Sequence, residues 1–241
     1  MKHPITDIHM HVVPAVDDGA RSPEESCEML RFAATEGIEA VFATPHDAAF
    51  LNNDVRTVFR RLKEAARAQA IPVELHLGCE LRITAQTAER CVRGLNDGTY
   101  PTMGASRCVL SEFTFGTPLE ECLYCIGLLT AQGYTPIIAH MERYDHIDLA
   151  FAKALRAAGA LIQLNACSIA DETDEKIRKR ANLFLRERLV DFLGTDAHRT
   201  DRRPPLYRNG LQAVRRLYTE DYAARIAAGN PYRFLLSPAD V

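Results

Sequence analysis

Apolar residues along the chain fall into two alternating kinds of run. Short, dense runs at Ile5–His9, Ala40–Thr44, Val73–Gly78, Cys108–Phe113, Pro136–Ala139, Leu161–Leu164 and Val190–Gly194 read as buried strands. Longer stretches between them carry apolar residues at helical period, as in Val55, Val58, Phe59, Leu62, Ala65 and Ala66. Punctuation agrees with this reading. Ser22 stands as an N-cap, Pro23 at the first helical position, Glu25 closing a capping box and Gly37 as the stop. Thr117, Pro118, Glu120 and Gly133 repeat the design. Alternating β and α elements imply a parallel sheet. Seven such units with no Ser/Gly-rich linker predict one domain over residues 1–241, closed or nearly closed as a barrel rather than doubly wound.

In such barrels functional residues gather at the C-terminal ends of the strands. The first strand leads into His9 and His11, with Asp18 in the loop beyond. The second leads to His46, the third to Glu80, the fourth to Glu112 and the fifth to His140. The seventh leads to Asp196 and His198, while the sixth offers only Asn165. Any one of these is ordinary as a capped or solvated loop residue. Nine ligand-type side chains at six of seven strand ends predict a metal centre. Imidazole and carboxylate without thiolate suit Mn²⁺, Fe or Zn²⁺. Nine ligands exceed one tetrahedral site, so two or three metals sharing carboxylates are expected. His3, His76 and His146 fit no strand-end role and read as surface or packing residues.

Composition narrows the function classes. A net charge of −3 gives no general attraction to nucleic acid or to anionic membranes. The run "KIRKRANLFLRER" spreads its charges around an amphipathic helix containing Ala181, Leu183, Phe184, Leu185 and Leu189, so it reads as a solvated face. No apolar run is long enough to span a membrane, and "MKHPITDIHM" lacks the apolar core of a signal peptide. A cytoplasmic location without membrane insertion is expected. Seven cysteines, an odd number, argue against a disulfide framework. Cys122 and Cys125 form one CxxC with no second pair, on one face of a helical stretch, and read as buried thiols.

The segments "DIHMHVVPAVDDGARSPEES", "ATPH", "GCELRI", "SEF", "AHMERY", "LNACSI" and "GTDAHRTDRRPP" occur in order from the first strand to about Pro205. Together they resemble the polymerase-and-histidinol-phosphatase (PHP) superfamily, and more closely its bacterial manganese-dependent protein-tyrosine phosphatases of capsular and exopolysaccharide loci. The resemblance implies a distorted seven-stranded α/β barrel of PHP type holding three metals, with Mn²⁺ first and Fe, Zn or Co as alternatives. One metal would be held by His9, His11, Glu80 and Asp196. Glu80 would bridge to a second, held also by Glu112 and His140. The third would take Asp18, His46 and His198. Asp17 matches a family position outside the ligand set. Two departures stand out. Asp47 follows His46 where the family usually has a second His, placing a negative charge near the rim, and Met141 stands where Pro is usual.

The activity so implied is hydrolysis of phosphotyrosine on a bacterial tyrosine autokinase that governs polysaccharide synthesis. Bound metals lower the pKa of water from ~15.7 towards ~7, supplying a nucleophile at neutral pH. Guanidinium groups add bidentate contacts to phosphate, and Arg143 and Arg203 match family arginines. Arg199 and Arg202 are weaker candidates. His46 or His198 could assist the leaving group. A cysteine-based phosphatase would need Arg six residues after a catalytic Cys, and none of the seven cysteines has it. A small-molecule phosphatase of the histidinol-phosphate type is the alternative with the same fold and metals. A metal-loaded binding protein and an amidohydrolase are further readings, the latter lacking support from the arginines. The oligomeric state is not legible.

Overall fold

The computed structural model describes residues 3–170 and 173–237. Its strands are β1 Thr6–Met10, β2 Ala40–Ala43, β3 Glu74–Leu77, β4 Glu80–Arg82, β5 Cys108–Glu112, β6 Thr135–Ile138, β7 Leu161–Asn165 and β8 Phe192–Gly194, every pairing parallel. They fall in two hydrogen-bonded groups, β1-β2-β3 and β4-β5-β6-β7-β8. Two seams join the groups into a ring. Asp196 N donates to His9 O and His11 N to Ala197 O, both at 2.8 Å, linking β8 to β1. Glu80 N donates to Pro45 O at 3.0 Å, linking β4 to the end of β2.

The expected third strand is therefore two. The backbone breaks at Gly78 and Cys79, leaving β3 on β2 and carrying β4 across to β5. Below the break β3 and β5 do not pair. The loop at Met103 and Gly104 fills that gap, with Met103 N on Cys108 O at 2.8 Å and Gly104 N on Leu77 O at 3.0 Å. A Cβ on Gly78 would lie 2.7 Å from Met103 Sδ, so a larger residue at the break would have to displace the methionine thioether.

Nine α-helices are present among the described residues: α1 Pro23–Thr35, α2 Asp47–Asn52, α3 Val55–Ala68, α4 Ala88–Asn96, α5 Leu119–Ala131, α6 Leu149–Ala157, α7 Glu175–Arg186, α8 Arg208–Leu217 and α9 Glu220–Ala224. Ser22 caps α1 through its hydroxyl, which accepts from Glu25 N at 3.3 Å. The reciprocal half of the expected capping box is absent. Glu25 instead accepts from Arg21, backbone and guanidinium alike, at 2.7–3.0 Å. Thr117 does not cap α5; its hydroxyl donates to Thr114 O at 2.7 Å, closing a turn, and Pro118 takes the cap position. α7 buries Ala181, Phe184 and Leu185 and exposes Glu175, Lys176, Lys179 and Arg186. Arg180 departs from the expected solvated face, its Nε donating to Glu142 O at 2.6 Å. None of the described helices is long and apolar enough to cross a membrane.

Ile8, Phe42, Cys108, Leu110, Ile137, Ala139 and Phe192 fill the barrel interior and are plugged by Met103 and Leu235. Val41, Ala43, Leu75, Val109, Ile138, Ile162 and Leu193 face outward into a larger core shared with the helices. Alternation along β1 breaks once. Asp7 pairs with Val41 and Met10 with Ala43, so Ile8 and His9 together oppose Phe42. This β-bulge turns consecutive residues toward the same side. It aims His9 into the barrel, above Ile8.

Gly210 packs α8 onto the end of β7: a Cβ there would lie 2.0 Å from Ala166 O. Gly127, within α5, has open space where a Cβ would stand, with nothing within 4 Å. Gly210→Ala is expected to cost about 1–3 kcal/mol by overpacking, lowering Tm by about 2–12 °C. Gly127→Ala should stabilise by about 0.5–1 kcal/mol. Thermal unfolding of the two variants checks both signs.

Candidate metal centre

The strand order brings all nine expected side chains to one end of the barrel. Glu80 is the hub. Its Oε1 lies 3.0 Å from His140 Nε2 and 3.4 Å from His9 Nε2. Its Oε2 lies 3.0 Å from His46 Nδ1 and 3.2 Å from His11 Nε2. Asp196 Oδ1 stands 3.5 Å from the Nε2 atoms of both His9 and His11. Asp18 Oδ1 reaches His46 Nε2 at 3.4 Å and His198 Nε2 at 3.3 Å. Glu112 Oε1 is 3.6 Å from His140 Nε2, while its other oxygen accepts from Arg82 Nε at 2.8 Å.

Three groupings have ligand atoms close enough to share one ion: His11, Asp18, His46 and His198; His9, His11 and Asp196; and His46, Glu80 and Glu112. They overlap the expected sets with four differences. His11 also joins the Asp18 group, and His46 joins Glu80 and Glu112. Glu80 is not grouped with His9, His11 and Asp196. His140 falls in none of the three, meeting the site through Glu80 at 3.0 Å and Glu112 at 3.6 Å.

Several contacts are poor as hydrogen bonds and good as ligand pairs. His46 Nδ1 and Glu80 Oε2 are buried and close, yet neither has a hydrogen-bond partner. The Nε2 atoms of His9 and His11 face each other at 3.2 Å, where at least one must present a lone pair. Donors each about 2.0–2.2 Å from one ion lie roughly 3–3.6 Å from one another. The residues fit divalent cations.

Electrostatics point the same way. Burial would push the Glu80 carboxyl up, but His9 and the surrounding imidazoles hold it well below the usual range. Burial opposes charge on His11, yet Asp17, Asp196 and Glu80 raise its pKa well above the ordinary value. His9 and His46 shift upward against burial for the same reason, led by Glu80 in each case. A field that favours protons on buried imidazoles also favours metal cations there. His198 differs: burial and the His11 charge push it down to about 4.

Supporting residues complete the site. Asp17 is not among the grouped ligands; its Oδ2 accepts from His11 Nδ1 at 2.8 Å and from His46 N at 3.2 Å. This carboxylate orients the imidazole whose Nε2 faces Glu80 and Asp196. His198 Nδ1 donates to Asp196 O at 2.9 Å, leaving Nε2 toward Asp18. Gln163 was not singled out by sequence. Its Oε1 accepts from His140 N at 2.7 Å and faces His9 Nδ1 at 3.3 Å, and its Nε2 donates to Asn165. The available signal was a polar residue inside the apolar run "LIQLN". Asp7 was missed as well. It accepts from His9 N, Thr195 N and the Thr195 hydroxyl at 2.6–3.0 Å, tying β1 to β8.

Backbone conformation adds to the placement. His140, Asp196 and Arg203 have φ of 33°, 52° and 56°, left-handed values that cost a non-glycine residue roughly 1–3 kcal/mol. At His140 the backbone turns into the short 3-10 helix Met141–Arg143. Met141 is buried core there. Arg143 Nη1 and Arg203 Nη1 both donate to Asp196 Oδ2, at 2.8 and 3.0 Å. Their two positive charges converge beside the grouped side chains and remain partly exposed. Arg199 and Arg202 are not among the donors to this oxygen. Asp47 does not stand bare at the rim: it opens α2, is half-buried, and burial raises its carboxyl pKa against the pull of Arg82.

Comparison with known proteins covers nearly the whole chain. The family model for "Capsular polysaccharide synthesis, CpsB/CapC" matches residues 5–236. A putative tyrosine-protein phosphatase, CapC of Staphylococcus aureus, is 33% identical over 83% of this chain and 79% of its own. Tyrosine-protein phosphatase CpsB of Streptococcus pneumoniae is 27% identical over 95% of this chain and 98% of its own. A solved structure from the work on YwqE of Bacillus subtilis and CpsB of Streptococcus pneumoniae, described as metal-dependent tyrosine phosphatases, superposes with a TM-score of 0.81. It is 26% identical and covers 90% of this chain and 89% of that one.

Manganese-reconstituted protein is expected to carry two to three metals per chain by elemental analysis. Glu80→Gln should lose metal by more than the ~10–100-fold that orienting residues usually cost, whereas Asp17→Asn should fall within that range. Wild-type metal content in Glu80→Gln would remove Glu80 from the centre.

Proposed function

The chain belongs to the capsular polysaccharide synthesis family CpsB/CapC, and we propose that its nine-residue cluster holds three metals that serve phosphotyrosine hydrolysis on a bacterial tyrosine kinase. It is a metal-dependent tyrosine-protein phosphatase. The observation that carries the site assignment is the convergence of four imidazoles on the Glu80 carboxylate at 3.0–3.4 Å beside two partly exposed guanidiniums. Imidazole and carboxylate donors without thiolate suit manganese, iron or zinc alike. Manganese is placed first because the family resemblance implies it, with iron, zinc or cobalt as substitutes.

The ligand roles are those of His9, His11, Asp18, His46, Glu80, Glu112, His140, Asp196 and His198. When bound, divalent metals supply a nucleophile at neutral pH and offset phosphoryl charge. Arg143 and Arg203 bind the phosphoryl oxygens. Asp196 holds both guanidiniums on one oxygen until an anionic substrate offers them its own. Both ring nitrogens of His46 face carboxylates, and His198 has one nitrogen on a carbonyl and one toward Asp18. That arrangement supports ligation by both more than proton donation. Tyrosine leaves as a phenol with a pKa near ~10, so no strong general acid is required.

A thiolate mechanism has no support. Burial pushes Cys108 and Cys167 up to about 11, and Cys122 and Cys125 up to about 12, the opposite of an activated nucleophile. Unpaired thiols suit a reducing compartment, in keeping with a cytoplasmic location.

Manganese-loaded protein should hydrolyse a phosphotyrosine peptide in preference to histidinol phosphate and lose activity to a chelator. The reverse preference would favour the small-molecule phosphatase. Arg143→Ala should keep its metals and lose about 10- to 150-fold in kcat/KM, the equivalent of ~1.5–3 kcal/mol for a hydrogen bond to a charged group. Lysine should restore little, lacking the planar fork. Normal turnover and phosphate affinity in Arg143→Ala would transfer the role to Arg203 or to the metals alone.

A further inference from the structure

Large apolar side chains strongly exposed among the described residues are Leu51, Phe115, Tyr124, Leu217 and Tyr232. Phe115, at 60%, is the most exposed of these. It follows Glu112 by three residues. Its ring centre lies 6.0 Å from the Arg143 guanidinium carbon and 5.7 Å from the ring of Tyr144.

The ring is not on a loose loop. Thr117 donates its N–H and its hydroxyl to Thr114 O at 3.2 and 2.7 Å, and the two threonine hydroxyls meet at 2.8 Å. Gly116 has φ +82°, the value that the third residue of a type II turn requires. Phe115 therefore occupies the corner of a braced turn. His146 Nε2 contacts Thr117 O at 3.0 Å and braces its far side. Tyr144 is fully buried, and its hydroxyl accepts from Phe113 N at 3.0 Å. His140, Tyr144 and Phe115 form a line of rings, 5.8 and 5.7 Å apart, from the metal ligands to the open rim.

We propose that Phe115 is the platform for the aromatic ring of the substrate, selecting aryl phosphates over alkyl phosphates. This rests on the phosphotyrosine reading above. With the phosphoryl group gripped by Arg143, a phenyl ring joined to it through one ester oxygen stays within reach of Phe115. Aromatic pairs favour centroid separations of about 4.5–7 Å, and Arg143 already stands at the ~6 Å limit of cation–π attraction to the same ring. An alkyl phosphate would offer Phe115 neither a ring face nor a ring edge.

The test uses the full manganese-loaded chain as wild type, Phe115→Ala and Phe115→Trp. Three constants are measured: KM for a phosphotyrosine peptide, and inhibition constants for phenylphosphonate and for inorganic phosphate. Phe115→Ala should raise KM and the phenylphosphonate constant by about 2- to 12-fold. Its metal content and its inhibition by inorganic phosphate should stay at wild-type values, and Phe115→Trp should restore both aryl constants. Equal shifts for phenylphosphonate and inorganic phosphate, or no shift in either, would overturn the platform role. A wild-type protein inert toward the peptide would sink the phosphotyrosine reading and this inference with it. An active wild type with an indifferent Phe115→Ala would sink the inference alone.

Discussion

Glu80 is a carboxylate with almost no contact with water, and its two oxygens are ringed by nitrogens from His9, His11, His46 and His140. An isolated buried charge of this kind would cost several kcal/mol. Here four elements of the barrel must meet at one point to compensate it. Asp196 imposes a second demand of the same sort, placed between His9 and His11 on one oxygen and two arginines on the other. The two seams that close the ring, β8 to β1 and β2 to β4, run through these same residues. Closure of the fold and assembly of the site are one arrangement.

That arrangement is held by features with little folding benefit of their own. Three left-handed residues, His140, Asp196 and Arg203, carry backbone strain next to the cluster. Small residues make room for it. A Cβ on Gly194 would lie 2.7 Å from His9 Cβ, and one on Gly19 would lie 2.1 Å from His11 O. Gln163 and Asp7 then lock the imidazoles and the β1–β8 seam by hydrogen bonds. A half-satisfied polar core is worse for stability than an apolar one. A bound metal would supply the missing partner and so contribute to folding as well as to chemistry.

The open side of the centre divides by charge and polarity. Arg143 and Arg203 stand over Asp196, whereas Glu112 is turned partly toward Arg82. Phe115 stands beside Arg143 at the lip. In the function proposed for this site, anion binding, metal binding and ring recognition fall to adjacent side chains, with Asp196 joining the first two.

Much of this was legible in the chain itself. Strand and helix periodicity gave the alternating elements, and strand-end positions marked the nine ligand-type side chains, because both depend on residues a few positions apart. Resemblance to a family of metal-dependent phosphatases added the ordered motifs. Contacts across the barrel decided the rest. The third strand splits at Gly78–Cys79 where the Met103–Gly104 loop bonds to Leu77 and Cys108, and nothing local to "LGCE" announces it. The bulge at Ile8–His9 exists only in register with Phe42, yet it decides that His9 points inward. Thr117 looked like a cap until Thr114 offered its carbonyl. Gln163 read as one polar residue in an apolar strand; only the closed ring sets it between His9 and His140. The sequence by itself determined which side chains stand at the strand ends, since that follows from short-range pattern. Tertiary structure alone decided which of them touch, since register, bulges and ring closure are fixed by residues far apart in the chain.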